Sequence, residues 1–247
     1  MVRNENVPWK RLSVEAAAIV GSILLAFAID AWWEERNLQA VLVGNLSGLS
    51  YDFATNRAGL IDVSDRHGRS VRAIEDILIL GSDPGNELDH DEFYRRMREV
   101  NITRKFSVVR RTYDSLISAG LVESIPSEDL KRAIAGFYNF VKRIEHAQED
   151  MQAIQTFILE PYISKNLDHA ALMVVTHPEA GRIRPSRPAN QFRDIIGTDE
   201  FEGVLVTKWH ISQDLTNLYS SALDQIDTVD NLIQQIAGQQ VVIDKSE

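Results

Sequence analysis

The sequence contains no cysteine. That excludes disulfide staples, thiolate nucleophiles, and zinc or iron–sulfur sites built on cysteine. Proline is scarce, with 7 in 247 residues, and three of these (Pro178, Pro185, Pro188) fall in one stretch. No run of alternating β-branched residues is long enough to build a sheet, and Leu172-Met173-Val174-Val175 is the one short candidate strand. Also missing are a Gly-x-Ser-x-Gly elbow, a phosphate-binding glycine loop, a dinucleotide fingerprint and a His-Glu-x-x-His pair.

What is present is 44% hydrophobic and 25% charged, with 36 acids against 26 Lys and Arg for a net charge of -10. This excludes wholesale disorder, collagen-like repeats and a multi-span membrane protein. The length suffices for one buried core plus something extra.

The extra element is at the N-terminus. Residues Ala16 to Ile29 are uncharged, and counting from Leu12 to Trp33 gives a helix of about 33 Å at ~1.5 Å per residue, close to the ~30 Å hydrocarbon thickness of a bilayer. Lys10 and Arg11 flank one end and Trp32 and Trp33 the other, the arrangement of a cationic anchor and an aromatic interfacial belt in contact with membrane lipid. The reading is a cytoplasmic tail over 1–11, a transmembrane helix over 12–33, and an extracytoplasmic helical bundle over 34–247. The orientation follows from Arg3, Lys10 and Arg11 before the span against Arg36 after it. A cleaved signal peptide is the rival reading, because Ala26-Phe27-Ala28 matches a small-x-small cleavage site; a buried soluble helix is the third. On a helical wheel Glu15, Ala18, Ser22, Ala26 and Asp30 fall within about 120° of one another. That stripe of small and polar residues is a candidate helix–helix interface.

Beyond the span the chain reads as all-α. Leu46, Leu49, Phe53, Leu60, Val63, Ile74 and Ile77 occupy a/d positions of one heptad frame that Asn56, His67 and Ser70 interrupt. Gly44, Gly48, Gly59 and Gly68 weaken this helix, which should end near Gly81. Asp89 and Glu92 form a capping box for a helix to about Val100, and a further helix runs from about Val108 to Ala119 with Gly120 closing it. Ser127 follows Pro126 at the start of a long helix to about Leu159. Residues 165–197 read as an irregular excursion. A second box at Asp199 and Glu202 opens the last long helix, with Ile211, Leu215, Leu218, Ala222, Ile226, Val229, Ile233 and Ile236 on its apolar face. The expected architecture is an antiparallel bundle with two long coiled-coil-like helices, in which the last helix packs against the 38–80 helix.

Charge is uneven. From Arg95 to Arg143 there are 11 Lys and Arg and five acids; from Asp194 onward there are ten acids and only Lys208 and Lys245. Arg95, Arg96, Arg110 and Arg111 are possible anion-binding residues, for a phosphate-bearing headgroup or a polyanion. The alternative is solvated helix faces paired internally. Nucleic-acid binding is disfavoured by overall charge. The six histidines are scattered, and His67 falls where a structural hydrogen-bonded histidine is expected. The acids Asp83, Glu87, Asp89, Asp91 and Glu92 lack the glycine and ligand alternation of a calcium loop. No catalytic residue, cofactor or metal site is expected. A hydrolase would need a concave site gathering acids with a histidine, such as around His146 or His210.

Three segments together carry a family resemblance, the first two of them specific. Gly21 to Arg36, with Ile29-Asp30-Ala31-Trp32-Trp33-Glu34, resembles the anchor of a family of uncharacterised bacterial single-span membrane proteins. Thr112-Tyr113-x-x-Leu116-x-x-x-Gly120-Leu121 resembles that family's central segment, and the helix from Asp199 to Ile236 is similar to its closing one. The second tryptophan and the proline-rich 178–188 stretch depart from the pattern. The resemblance implies a single-pass membrane protein with a helical extramembrane domain; together with the Lys and Arg bias the expected location is the bacterial inner membrane, with the C-terminal domain periplasmic. It argues against signal cleavage, and it implies no activity. It leaves Thr112 and Tyr113 as a structural device, with Tyr113 packing and donating its hydroxyl into the bundle. The expected function is a membrane-anchored structural or accessory subunit that associates with itself as a homo-oligomer or with other membrane-protein subunits. The alternative is a sensing module that recognises an anion or lipid headgroup.

Overall fold

A computed structural model describes residues 9–81, 89–176 and 191–244. Among them every regular element is helical: α1 (Trp9–Gly81), α2 (His90–Val100), α3 (Arg111–Ser118), α4 (Glu128–Ile154), α5 (Glu160–Asn166), α6 (His169–Thr176) and α7 (Asp199–Asp244). Short 3-10 turns lie at Val122–Ser124 and Gln191–Asp194. The chain divides into two units, Met1–Leu49 and Ser50–Glu247.

In the first unit α1 contains the one helical stretch among the described residues that is long and apolar enough to cross a membrane, and none of it is buried. Ile19, Leu24, Leu25, Phe27 and Trp33 are all more than half exposed. Within this chain nothing covers any face of that stretch. Trp32 and Trp33 stand side by side with ring centroids 6.4 Å apart, and the Arg36 guanidinium lies 5.3 Å from the Trp32 ring.

In the second unit three long helices define the packing. Arg57 of α1 binds Asp227 and Asp230 of α7 at 2.5 and 3.0 Å, His67 meets the Tyr219 ring at 5.8 Å, and Trp209 donates to Glu75 at 2.9 Å. Rising numbers on α1 thus meet falling numbers on α7, so the two run antiparallel. On α4 the Phe137 ring meets Phe53 of α1 at 5.0 Å, and Gln148 and Gln155 bond Tyr219 and Lys208 of α7, so α4 runs parallel to α1 and antiparallel to α7. The apolar heptad positions from Phe53 to Ile77 are buried, as is nearly every apolar position expected on α7 as far as Ile233. At one end α2, α5, α6 and Phe192 close the core, with Phe93 and Phe192 stacked at 4.6 Å and Tyr162 and Phe201 stacked at 5.9 Å.

Local chemistry explains the boundaries. Asp89 caps α2 by accepting from Asp91 N, while the Glu92 carboxylate turns to Arg95 and Arg96 instead of closing the expected box. Gly120 at φ +68° takes the left-handed position after α3, and Leu121 N donates to Leu116 O at 2.8 Å, a Schellman closure. Ser127 caps α4 by accepting from Leu130 N.

Four expectations need correction. The helix thought to begin near Val108 begins at Arg111, because Val109's peptide is bonded to a side chain of α1. The cap of α7 is Thr198, whose hydroxyl accepts from Phe201 N and whose carbonyl accepts from Glu202 N, so Asp199 is already helical. The candidate strand at Leu172 is helix α6, started by Asp168 accepting from Ala170 N and Ala171 N. The irregular excursion is correspondingly shorter, and its residues 177–190 lie outside the described ones. The long helix did not stop near Leu159 either. It widens into a π-helical turn over Gln155–Leu159 and continues as α5. Pro161 is the cause: in an unbroken α-helix its ring would meet the carbonyl of Phe157 and its nitrogen could not donate.

Candidate functional site

The segment between α2 and α3, residues 102–110, has no regular structure, yet Phe106 within it is 5% exposed. Buried backbone must find partners, and here side chains from all three long helices supply them. Asn56 of α1 donates to Val109 O and accepts from Val109 N, both at 2.7 Å. Gln148 of α4 does the same for Phe106, accepting from its N–H and donating to its carbonyl at 3.3 Å. Each primary amide therefore stands in for a neighbouring β-strand. His67 donates from Nε2 to Arg104 O at 2.9 Å, Ser70 to Val100 O at 3.4 Å, and Tyr138 to Val109 O at 3.3 Å. Gly59 has a related role: a Cβ there would stand 3.4 Å from the Phe106 ring. The residues that interrupt the heptad are those that hold this segment in place.

Lys208 of α7 is fully buried. Its ammonium donates to Ile102 O at 2.9 Å and to Gln155 Oε1 at 3.3 Å. Burial, with no carboxylate beside it, pushes its pKa down to about 8. Burial likewise holds His67 below the ordinary histidine range. His67 Nδ1 and, on α7, Ser212 Oγ are buried with no hydrogen-bond partner among the described residues. An amine of this kind could act as a nucleophile only if a substrate reached it, and full burial prevents that. Its chemistry here is to hold a carbonyl.

At the other end of the segment Asp52, 1% exposed, accepts from Thr112 N at 2.7 Å and so caps α3 from a different helix. Tyr113 packs as expected, stacked on Tyr138 at 4.8 Å. The hydroxyl that enters the bundle belongs to Tyr138, whose pKa burial raises.

Sequence-named residues fall as follows. Glu15, Ala18, Ser22, Ala26 and Asp30 are all exposed along α1 in the first unit, and Ser22 donates back to Ile19 O at 2.8 Å. The side chains of Lys10 and Arg11 lie outside the described residues, as do Asp83 and Glu87. The four arginines do not converge. Arg95 and Arg96 sit on α2, held by Glu92 and, for Arg96, by Asp76 at 2.7 Å. Arg110 binds Asp114 at 2.8 Å, and Arg111, 76% exposed, is 3.9 Å from Asp52. Asp52 and Asp76 are some 24 residues apart on one helix, about 36 Å. Lys131 and Arg132 also pair with nearby acids, so internal pairing accounts for much of the basic middle.

The surface offers one further feature, an open cleft of about 680 Å³ between α4 and α7, lined by Asp150, Ala153, Ile154, Val206, Thr207, His210, Ile211 and Asp214. It does gather acids with a histidine. His210, however, is 73% exposed and meets Asp214 at 3.4 Å as a one-turn surface pair. Nothing encloses these groups, whereas acid–base catalysis relies on burial to tune its players. Among the described residues no cluster of His, Asp and Glu could hold a metal ion. The chain matches no known protein family, no curated protein and no solved structure.

Proposed function

We propose that this chain is a single-pass, membrane-anchored structural or accessory subunit. Its first helix spans the bacterial inner membrane with the N-terminus cytoplasmic. Residues 34–247 form a periplasmic antiparallel bundle with two long coiled-coil-like helices. The chain associates with itself or with a larger membrane complex through the span, with Glu15, Ala18, Ser22, Ala26 and Asp30 as the contact stripe, and through its helical segments. The observation that supports this reading most is the exposure of Ile19 to Trp33 on every side. In water each large apolar side chain among them would forgo about 1.5–3 kcal/mol of burial, whereas in hydrocarbon it forgoes nothing. The resemblance of the Ile29-to-Glu34 motif to single-span bacterial proteins supports the compartment. An anion-sensing module has less behind it, since three of its four arginines are already held by acids.

The absence of cysteine makes the test clean. In intact spheroplasts a membrane-impermeant maleimide should label Arg132→Cys and leave Asn4→Cys untouched until lysis; the reverse pattern overturns the orientation. Crosslinking after detergent extraction should give a mass above that of one chain, and a strictly monomeric, partner-free protein overturns the subunit role.

A further inference from the structure

The cleft between α4 and α7 carries a second, separable reading. Its floor is apolar, built from Ala153, Ile154, Val206 and Ile211. Just beyond Ile154 the π-helical turn leaves Phe157 78% exposed and Ile158 40% exposed, while Val206 on the facing helix is 51% exposed. The cause lies in the register. Gln155 and Leu159, four residues apart, enter the core at 1% and 0% exposure, and Phe157, two residues from each, points to the opposite face. π-helical turns concentrate at functional sites, and Phe157 lies one turn beyond the cleft residues Ala153 and Ile154.

The ionisable groups that line this floor are Asp150, Asp214 and His210, which meets Asp214 at 3.4 Å; the nearest exposed cations along the α4 side are Arg143 and Lys165. From Asp199 to Gly238 the sequence of α7 holds a single Lys or Arg, Lys208, and that ammonium is buried toward Ile102 and Gln155. From Glu145 to Ser164 the facing strip has Glu145, Glu149, Asp150 and Glu160 and no Lys or Arg. An apolar trough between acidic walls is complementary to an amphipathic helix with lysine or arginine flanking its apolar face. A second copy docking cleft to cleft would set these acids against themselves, and an anionic lipid surface would be repelled in the same way.

We propose that the α4–α7 cleft docks a cationic amphipathic helix of a partner protein, with Phe157 and Val206 as its apolar anchors and Asp150 and Asp214 as its charge partners. This deepens the accessory-subunit reading and rests on it.

The test uses the full chain in zwitterionic nanodiscs with a fluorescent donor on Gln152→Cys. The probe is an acceptor-labelled synthetic Leu/Lys amphipathic helix of about 18 residues, and the control is its Leu/Glu counterpart. Saturable energy transfer is expected with the Leu/Lys helix alone. It should weaken at least about tenfold in Phe157→Asp and in the Asp150→Asn, Asp214→Asn pair. Peptide partitioning into lipid is common to all variants and cancels. All of these side chains lie on the surface, and unchanged helical melting verifies the fold; if Phe157→Asp melts early, the neutralised pair alone decides. Equal transfer with the Leu/Glu helix, or transfer unchanged in the neutralised pair, overturns the proposal. So does transfer between two labelled copies that Phe157→Asp abolishes, which makes a second copy the occupant. A monomeric, partner-free extract would sink the subunit role while this readout still reports on the cleft.

Discussion

Phe27 and Phe137 are the same residue in helices of the same chain, yet one is 67% exposed and the other fully buried. The contrast extends to whole regions. In the unit that ends at Leu49 the large apolar side chains from Ile19 to Trp33 face outward, whereas in the unit that begins at Ser50 it is Asp52, Asn56, His67, Gln148, Gln155 and Lys208 that face inward. Helix α1 carries both patterns within a single element. The lesson is that periodicity gives the face of a helix, while what that face must contain depends on what surrounds it. Apolar residues outside are what the proposed bilayer setting requires. Polar residues inside are tolerable because an irregular segment presents backbone groups that need them.

The sharpest way to break this comparison is to make one substitution in both regions. Phe137→Ala should cost about 3–5 kcal/mol in a urea melt of the second unit, through lost burial and a cavity, and Phe27→Ala should leave that melt unchanged. Equal effects would mean that the two regions share one packing environment.

Lys208 comes next. Its folded pKa of about 8 lies below its ordinary 10.5, so the folded state gives up this proton more readily than the unfolded chain. Stability from this group therefore rises with pH between about 8 and 10.5 and is flat below that window. The rise is on the order of 3 kcal/mol. Lys208→Met should remove it. The wild-type-minus-variant difference isolates the effect from the buried tyrosines Tyr138 and Tyr219, whose raised pKa values act in the opposite sense at high pH. A difference with no slope across the window would mean that Lys208 reaches water.

Smallest of the three is a polar deletion. Asn56→Leu leaves Val109 N–H buried without its acceptor and should cost about 2 kcal/mol. The mirror change in the other region, Ser22→Leu, should not lower the thermal melt at all. A neutral Asn56→Leu would show that water reaches the segment.

Much of the helical frame was legible from spacing. The Asp89 and Ser127 caps and the Gly120 closure are local signals, and each depends on residues within one turn. Asn56, His67 and Ser70 could be seen as polar residues on an apolar face. Their purpose could not, because their partners lie 30 to 53 residues away in a segment with no period of its own. Lys208 was counted as one of two bases in an acidic region, although a signal was there: it shares the helical spacing of Leu205, Ile211, Ser212 and Leu215, all of them buried. The spacing that suggests a helix start at Val108 is overridden by tertiary bonding to Asn56. Leu172 to Val175 are helical and not extended, since four apolar residues cannot by themselves separate strand from helix. The α4–α7 cleft was beyond reach, since its lining comes from two helices, around Ile154 and Ile211, whose mutual packing no local pattern specifies.

The segment 102–110 also measures distance along the bundle. Apolar faces are forgiving: a helix with a leucine every few residues can slip by one heptad, about 10 Å, and still find grease opposite. Peptide groups allow no such slip. Asn56 must meet Val109, Gln148 must meet Phe106, and Lys208 must reach Ile102. The nine residues thus act as a ruler laid between three rods, fixing how far each is pushed past the others. Of these contacts the one from Lys208 to Ile102 reaches farthest along the chain, across 106 residues, so the position of the last rod is read against a group remote from it in sequence.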